Sequence, residues 1–191
     1  MKIWKTKGSR FNKYRRYRSK NYWSLFSISL LTIYLLALNL LLYFPVYTFT
    51  DRQVQAIPLL SVILSVFILI LSLLEASKQY ILISERLYTC SNELTNLYTE
   101  LQYFKSRADY SPHGLSKLEK IMLKYDMILS KCPDNHDSID LEVFKTEHPE
   151  VFACGCIEKK WIYIKAFFLT YALYLFLICM PPLVLLLYLI S

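Results

Sequence analysis

Two long windows near the N-terminus are filled with apolar residues. Trp23 to Val46 contains no charged side chain, and Ala56 to Leu74 stops only at Glu75. A short polar link, residues 47–55, separates them. A bilayer core requires about 20 consecutive apolar residues in a helix, and both windows meet that length. Neither carries the spaced polar face of a helix lying on a soluble core. Two buried helices of a soluble α-domain are the alternative, and the length argues against them. The pattern predicts a tight antiparallel hairpin with membrane spans at residues 22–47 and 55–74.

Beyond Glu75 the period changes. Tyr80, Ile83, Leu87, Cys90, Leu94, Leu97, Leu101 and Phe104 recur three and four apart with no Pro or Gly between them. This is an a/d seam, and joined to span two it predicts one helix of about 50 residues, roughly 75 Å long. Residues 108–114 read as a turn by Pro112 and Gly114. A second helix is expected after Ser116, with Glu119 completing a capping box. Its seam is Leu115, Leu118, Met122, Tyr125 and Leu129. A helical hairpin follows, whose first seam exceeds the second by about two heptads. The surplus (Leu87, Leu94, Leu97, Leu101) is assigned to a second copy, making the protein a homo-oligomer. Residues 131–140 form a loop before a short helix through Phe144, and Glu147-His148-Pro149 turns again. Trp161 to Ile190 is a third apolar run, flanked by Lys159 and Lys160, with Lys165 able to snorkel. Pro181-Pro182 is expected to break or kink it. The fold class is thus an all-α membrane protein: a two-span hairpin, a helical hairpin or coiled-coil domain at residues 75–160, and a third span at 161–190.

Charge orients this arrangement. The net charge is +7, yet residues 75–160 hold 11 basic and 14 acidic side chains. The excess sits in residues 1–21, read as a basic tail with nine Lys and Arg and no acid. Placed before a first span, such a tail keeps the N-terminus in the cytoplasm and attracts anionic lipid through residues 2–20. The apolar run is longer than a signal peptide's core and no small-residue cleavage site follows it, so an uncleaved anchor is expected. Residues 75–160 are then cytoplasmic and the C-terminus lies outside the cell membrane. Interleaved Tyr and Arg also suit stacking on single-stranded nucleic acid, a reading the neighbouring span makes secondary. Abundant aromatics, 16 Tyr and 11 Phe, fit interface belts. Four of the five Cys lie in the cytoplasmic segment, where thiols stay reduced.

Candidate chemistry is sparse. Asn39 is strongly polar within span one, and Ser61, Ser65 and Ser72 share roughly one face of span two. They are candidates for an interhelical or pore-lining interface, or for packing inside one hairpin. Cys132, His136, His148, Cys154 and Cys156 offer zinc-type ligands within 25 residues, but without C-x₂-C or H-x₃₋₅-H spacing. The spacing favours reduced structural thiols and helix-capping polar residues over a zinc site. His136, between Asn135 and Asp137, suits a general base, yet no nucleophile accompanies it. The plainer reading is a loop in which Asp137 or Ser138 caps the next helix. Three Gly in the whole chain leave no phosphate-cradling loop. No catalytic residue, metal or cofactor is assigned. A small enzyme using His136 or the Cys/His cluster, and a membrane-anchored scaffold, are the alternatives to a non-enzymatic effector.

The basic N-terminus, the tight hairpin, the long following helix and the segment Tyr125-x₉-Asn135-His136-x₃-Asp140-x₃-Phe144 together resemble the SLATT domain. That is the SMODS- and SLOG-associating two-transmembrane effector domain of bacteria. The resemblance spans residues 13–152, and the third apolar run departs from its two-span pattern. It implies a membrane effector of anti-phage defence that oligomerises to permeabilise or depolarise the inner membrane and kills the infected cell. Its trigger would come in trans, from a retron reverse transcriptase with its RNA or from a nucleotide second-messenger synthase. Asn135, His136 and Asp140 are then the switch candidates.

Overall fold

A computed structural model describes residues 2–41, 43, 51–107 and 112–190. The link expected outside the membrane, up to Thr50, and the turn at residues 108–111 lie outside the described residues. Among those described, the elements are all helical: α1 (Lys2–Leu41), α2 (Asp51–Ser77), α3 (Tyr80–Arg107), α4 (Pro112–Lys131), α5 (Ser138–Glu147) and α6 (Cys156–Ile190). Three of these helical stretches are long and apolar enough to cross a membrane. The chain divides into two compact units, residues 1–19 with 80–169, and residues 20–79 with 170–191.

The first unit packs α3 against α4 and lays the beginning of α1 along both. Leu87 and Leu94 are fully buried, and Leu94 forms one core with Cys90, Leu97, Ile121, Tyr125 and Cys132. Ile3 of α1 packs on that cluster, Thr6 meets the Tyr125 hydroxyl at 3.1 Å, and Arg10 donates to the Cys90 thiol. Further along, Phe11 and Tyr14 contact the Tyr88 ring, with centroids 6.2 and 5.1 Å apart. The residues expected to form a free tail are therefore helix. Their charges are turned to protein groups: Lys2, Lys5 and Lys7 lie over the rings of Tyr125, Phe152 and Tyr98. In the surplus seam assigned to a second copy, Leu87, Leu94 and Leu97 are buried within the chain and Leu101 is half-buried, with Ile121 and Tyr125 of α4 and Ile3 of α1 in the cluster around Leu94 and Leu97. An oligomer or a scaffold's partner must use another surface.

Two boundaries differ from the expected ones. α2 and α3 are separate helices, because Gln79 takes a left-handed φ of 48° that ends the helical ladder. Lys78 and Gln79 donate back to the carbonyls of Glu75 and Ala76 and close the end of α2. α4 begins at Pro112, so Ser116 lies inside it rather than capping it. Its buried face includes Ile121 and Tyr125, with Cys132 buried just past its end, while Met122 is 63 % exposed. Ile121 and Met122 are both apolar, and three-four spacing accepts either. The added contact of Tyr125 with α1 selects the first.

The second unit holds residues 20–41 of α1, all of α2, and α6 from Thr170. Ser24, Ser27 and Leu31 form the buried stripe of α1, and Thr170, Tyr174 and Leu177 that of α6. Trp23 meets Tyr171 edge to face at 5.8 Å. Most of α2 is exposed apolar surface, as a lipid-facing helix requires. The third expected span starts at Trp161, but Ile162 is buried in the first unit and Lys165 pairs there with Glu142 at 3.3 Å. Residues 170–190, about 20 in number, still suffice to cross the hydrocarbon. The expected break at Pro181-Pro182 is absent, and α6 continues through both. Pro182 has no N–H for the carbonyl of Ile178 four residues back. The Tyr34 hydroxyl donates to that carbonyl instead, at 3.4 Å.

Candidate functional site

One face of α1 repeats every four residues: Trp4, Gly8, Asn12, Arg16. This face meets α5 and the loop before it. At one end Trp4 packs on Phe144, His148 and Phe152, with centroids 4.8, 4.6 and 6.1 Å away. Gly8 sits directly against the Phe144 ring, where a Cβ would collide. At the other end lies a polar lock.

The loop supplies the lock's acceptors because of how α5 starts. Asp137 is the N-cap, with extended φ and ψ of −88° and 163°. Asp140, three residues on, reaches back to the Asp137 backbone N–H at 3.0 Å, a capping-box contact. Its carboxylate also receives the fork of Arg16: Nε to Oδ1 and Nη2 to Oδ2, both at 2.9 Å. Arg16 Nη2 reaches Asp137 Oδ2 at 2.5 Å. Lys13 Nζ donates to the Asn135 carbonyl at 2.6 Å and to Asp137 Oδ1 at 3.2 Å. Asn12 Nδ2 donates to the Asp140 carbonyl at 3.3 Å and to Glu147 Oε2 at 3.2 Å.

Burial makes this more than surface pairing. Asp140 is 2 % exposed and the Arg16 side chain 9 %. Burial opposes the Arg16 charge, but Asp140 and then Asp137 outweigh it and hold the guanidinium above its ordinary pKa. Burial likewise opposes charge on Asp137, and the hydrogen bonds from Arg16 and Lys13 hold its carboxyl below the usual range. Under the lock, burial pushes the Cys90 thiol up to about 11 against the pull of Arg10, with Cys132 adding to the rise.

The switch candidates Asn135, His136 and Asp140 thus come together, each differently. Asp140 is the buried acceptor. Asn135 offers its backbone carbonyl to Lys13, and its side chain accepts the His136 N–H at 2.9 Å. His136 has a buried Nδ1 with no hydrogen-bond partner, and burial first, then the Arg10 charge, lowers its pKa below 6.5. The folded state therefore resists protonating this imidazole while the unfolded chain does not. Stability of this unit is expected to be level above about pH 7 and to fall on acidification below the ordinary pKa of 6.5. Asp137 contributes its own loss only below the carboxylate range, so the two windows are separate. Melting of Trp4 fluorescence between pH 7.5 and 5.5 checks this, and His136→Gln should flatten the dependence. An unchanged slope in that variant would assign it elsewhere.

The other candidates are placed apart. Asn39 donates to its own helix at Leu35 O, 2.8 Å away, and Ser65 to Val62 O at 2.7 Å. Ser61 is buried with no partner for its hydroxyl, and Ser72 is half-buried. Among the described residues no hydrogen bond joins Asn39 to these serines. Of the zinc-type residues, Cys132 lies in the core, His148 packs at a tilt against Trp4, and Cys156 is exposed. Among the described residues no three such side chains gather where they could hold a metal. Sequence reasoning missed Asn12, Lys13 and Arg16 as site residues. Their spacing along one helical face was the available signal.

A family model described as SMODS and SLOG-associating 2TM effector domain family 5 matches residues 1–188. No curated protein matches the chain. No solved structure matches it. The chain belongs to that effector family, and is a membrane protein of the anti-phage effector type; beside the two spans of the family's name it has a third helix apolar enough to cross.

Proposed function

We propose that this member of the family is a non-enzymatic effector of the bacterial inner membrane, held quiet by the lock between α1 and α5. A sensor supplied in trans, such as a reverse transcriptase with its RNA or a nucleotide second-messenger system, disturbs the lock. The hairpins of several copies then associate, and the membrane loses its potential. The observation that supports this most is that α1 is one helix, Lys2–Leu41. It carries both Lys13 and Arg16 of the lock and the first apolar span. A change at Asn135–Asp140 therefore acts on a membrane helix with no intervening loop. Basic residues ahead of that span support a cytoplasmic N-terminus and an outer C-terminus.

The test is membrane potential, read with a voltage-sensitive dye in bacteria expressing the chain alone and then with its trigger. Rapid depolarisation with the trigger only is the expected result. Intact potential in both conditions, with the protein confirmed in the membrane, would sink the permeabilising reading.

A further inference from the structure

In the second unit the single buried carboxylate among the described residues belongs to Glu75, 6 % exposed at the end of span two. Its hydrogen-bond donors come from two other helices and from the turn that ends its own. Tyr174 of α6 donates its hydroxyl at 3.0 Å, Ser24 of α1 donates a second, and Lys78, just past the end of α2, pairs with it. Farther along α6, Tyr34 of α1 holds the Ile178 carbonyl that Pro182 leaves without a helical donor. Two tyrosine hydroxyls and the edge-to-face pair of Trp23 and Tyr171 thus fasten the third helix to the first two. A carboxylate and a backbone carbonyl facing lipid without donors are costly, so each contact matters more here than in water.

We propose that the third span is a guard on the two-span hairpin, fastened by Tyr34 and Tyr174, and that its departure is the membrane step of activation. The inference rests on the permeabilising reading above. While fastened, the guard supplies one of the three donors to Glu75. Once it leaves, Glu75 keeps Ser24 and Lys78 but loses the Tyr174 donor, and it replaces that donor in hydrocarbon only by drawing in water or a second hairpin. Association around an acidic, hydroxyl-lined face is the direct outcome. The partner implied is another copy of this chain, and the path formed is polar.

The full chain carrying Tyr34→Phe, Tyr174→Phe or both tests it, with Tyr22→Phe, an exposed ring in the same unit, as control. Amide exchange over residues 170–178 is measured in nanodiscs of phosphatidylethanolamine and phosphatidylglycerol, and potential is measured in cells without trigger. Tyr174→Phe removes a hydrogen bond to a charged acceptor and is expected to speed exchange there by about tenfold or more. The double variant should depolarise cells without any trigger, and Tyr22→Phe should change neither readout. Exchange at the wild-type rate in the double variant overturns the fastening. Faster exchange without depolarisation, in cells that the triggered wild type does depolarise, overturns the guard role. If the triggered wild type never depolarises, the permeabilising reading has failed first, and the exchange result still reports on the fastening.

Discussion

Asp140→Ala is expected to destabilise the first unit by about 3–5 kcal/mol, the cost of stripping one partner from a buried ion pair. The reason is local. Arg16 would remain 9 % exposed with only Asp137 to answer its charge, and the Asp137 N–H would lose its acceptor at the start of α5. Against a typical total stability of about 5–15 kcal/mol this is a large fraction, so melting in detergent micelles should shift markedly. Asp140→Asn retains an oxygen for the cap and should lose less. Replacing both partners, Arg16→Met with Asp140→Leu, removes the buried charge without orphaning it and should recover the ion-pair part of the loss, while the Asp137 N–H stays without its cap acceptor. The pair of measurements separates fold from switch. If the lock controls the membrane, the double variant folds yet depolarises cells without its trigger. A folded double variant that still waits for the trigger would show that the lock is a structural joint alone.

How much of this was legible beforehand follows from which signals burial leaves in a sequence. The three apolar runs could be read because lipid demands unbroken apolar length. The α3 seam, from Leu87 to Phe104, could be read because three-four periodicity is a strong pattern. The role of residues 2–19 could not, because what α1 buries there is Ser9, Arg10, Asn12 and Lys13, residues that ordinarily mark a solvated face. The partners of Asn12, Lys13 and Arg16, namely Asp137, Asp140 and the Asn135 carbonyl, lie more than 120 positions away. Once α1 was set aside as a tail, the α3 surplus had nothing to cover it and was handed to a second copy. The Asn135–Asp140 segment stands out in the sequence as a polar loop, but its part as an acceptor for Lys13 and Arg16 needs the fold. Glu75 was visible only as the end of a span. Its burial depends on Ser24 and Tyr174, which no periodicity connects.

The contact between Gly8 and Phe144 carries the other large effect. Phe144 is 3 % exposed and enclosed by Trp4, His148 and Phe152, so Phe144→Ala should cost about 3–5 kcal/mol through lost burial and the cavity left behind. Gly8 makes the opposite test. In an exposed helix, Gly to Ala is worth about 1 kcal/mol in favour of folding. Here the added methyl would enter the ring of Phe144, and a ring packed on its other sides has little room to yield. Gly8→Ala is therefore expected to be destabilising, by about 1–3 kcal/mol for overpacking. Phe144→Leu makes space at the same point, so Gly8→Ala combined with it should cost less than the two single changes summed. A coupling of about 0.5–3 kcal/mol in that cycle is the range for side chains in direct contact. Thermal melts of the four proteins under one condition decide it. Additive losses, or a Gly8→Ala variant more stable than wild type, would mean that α1 does not lie on α5 at this point. The lock farther along the same face, Asn12 and Arg16, would then lose its register too, because one helix places all of them.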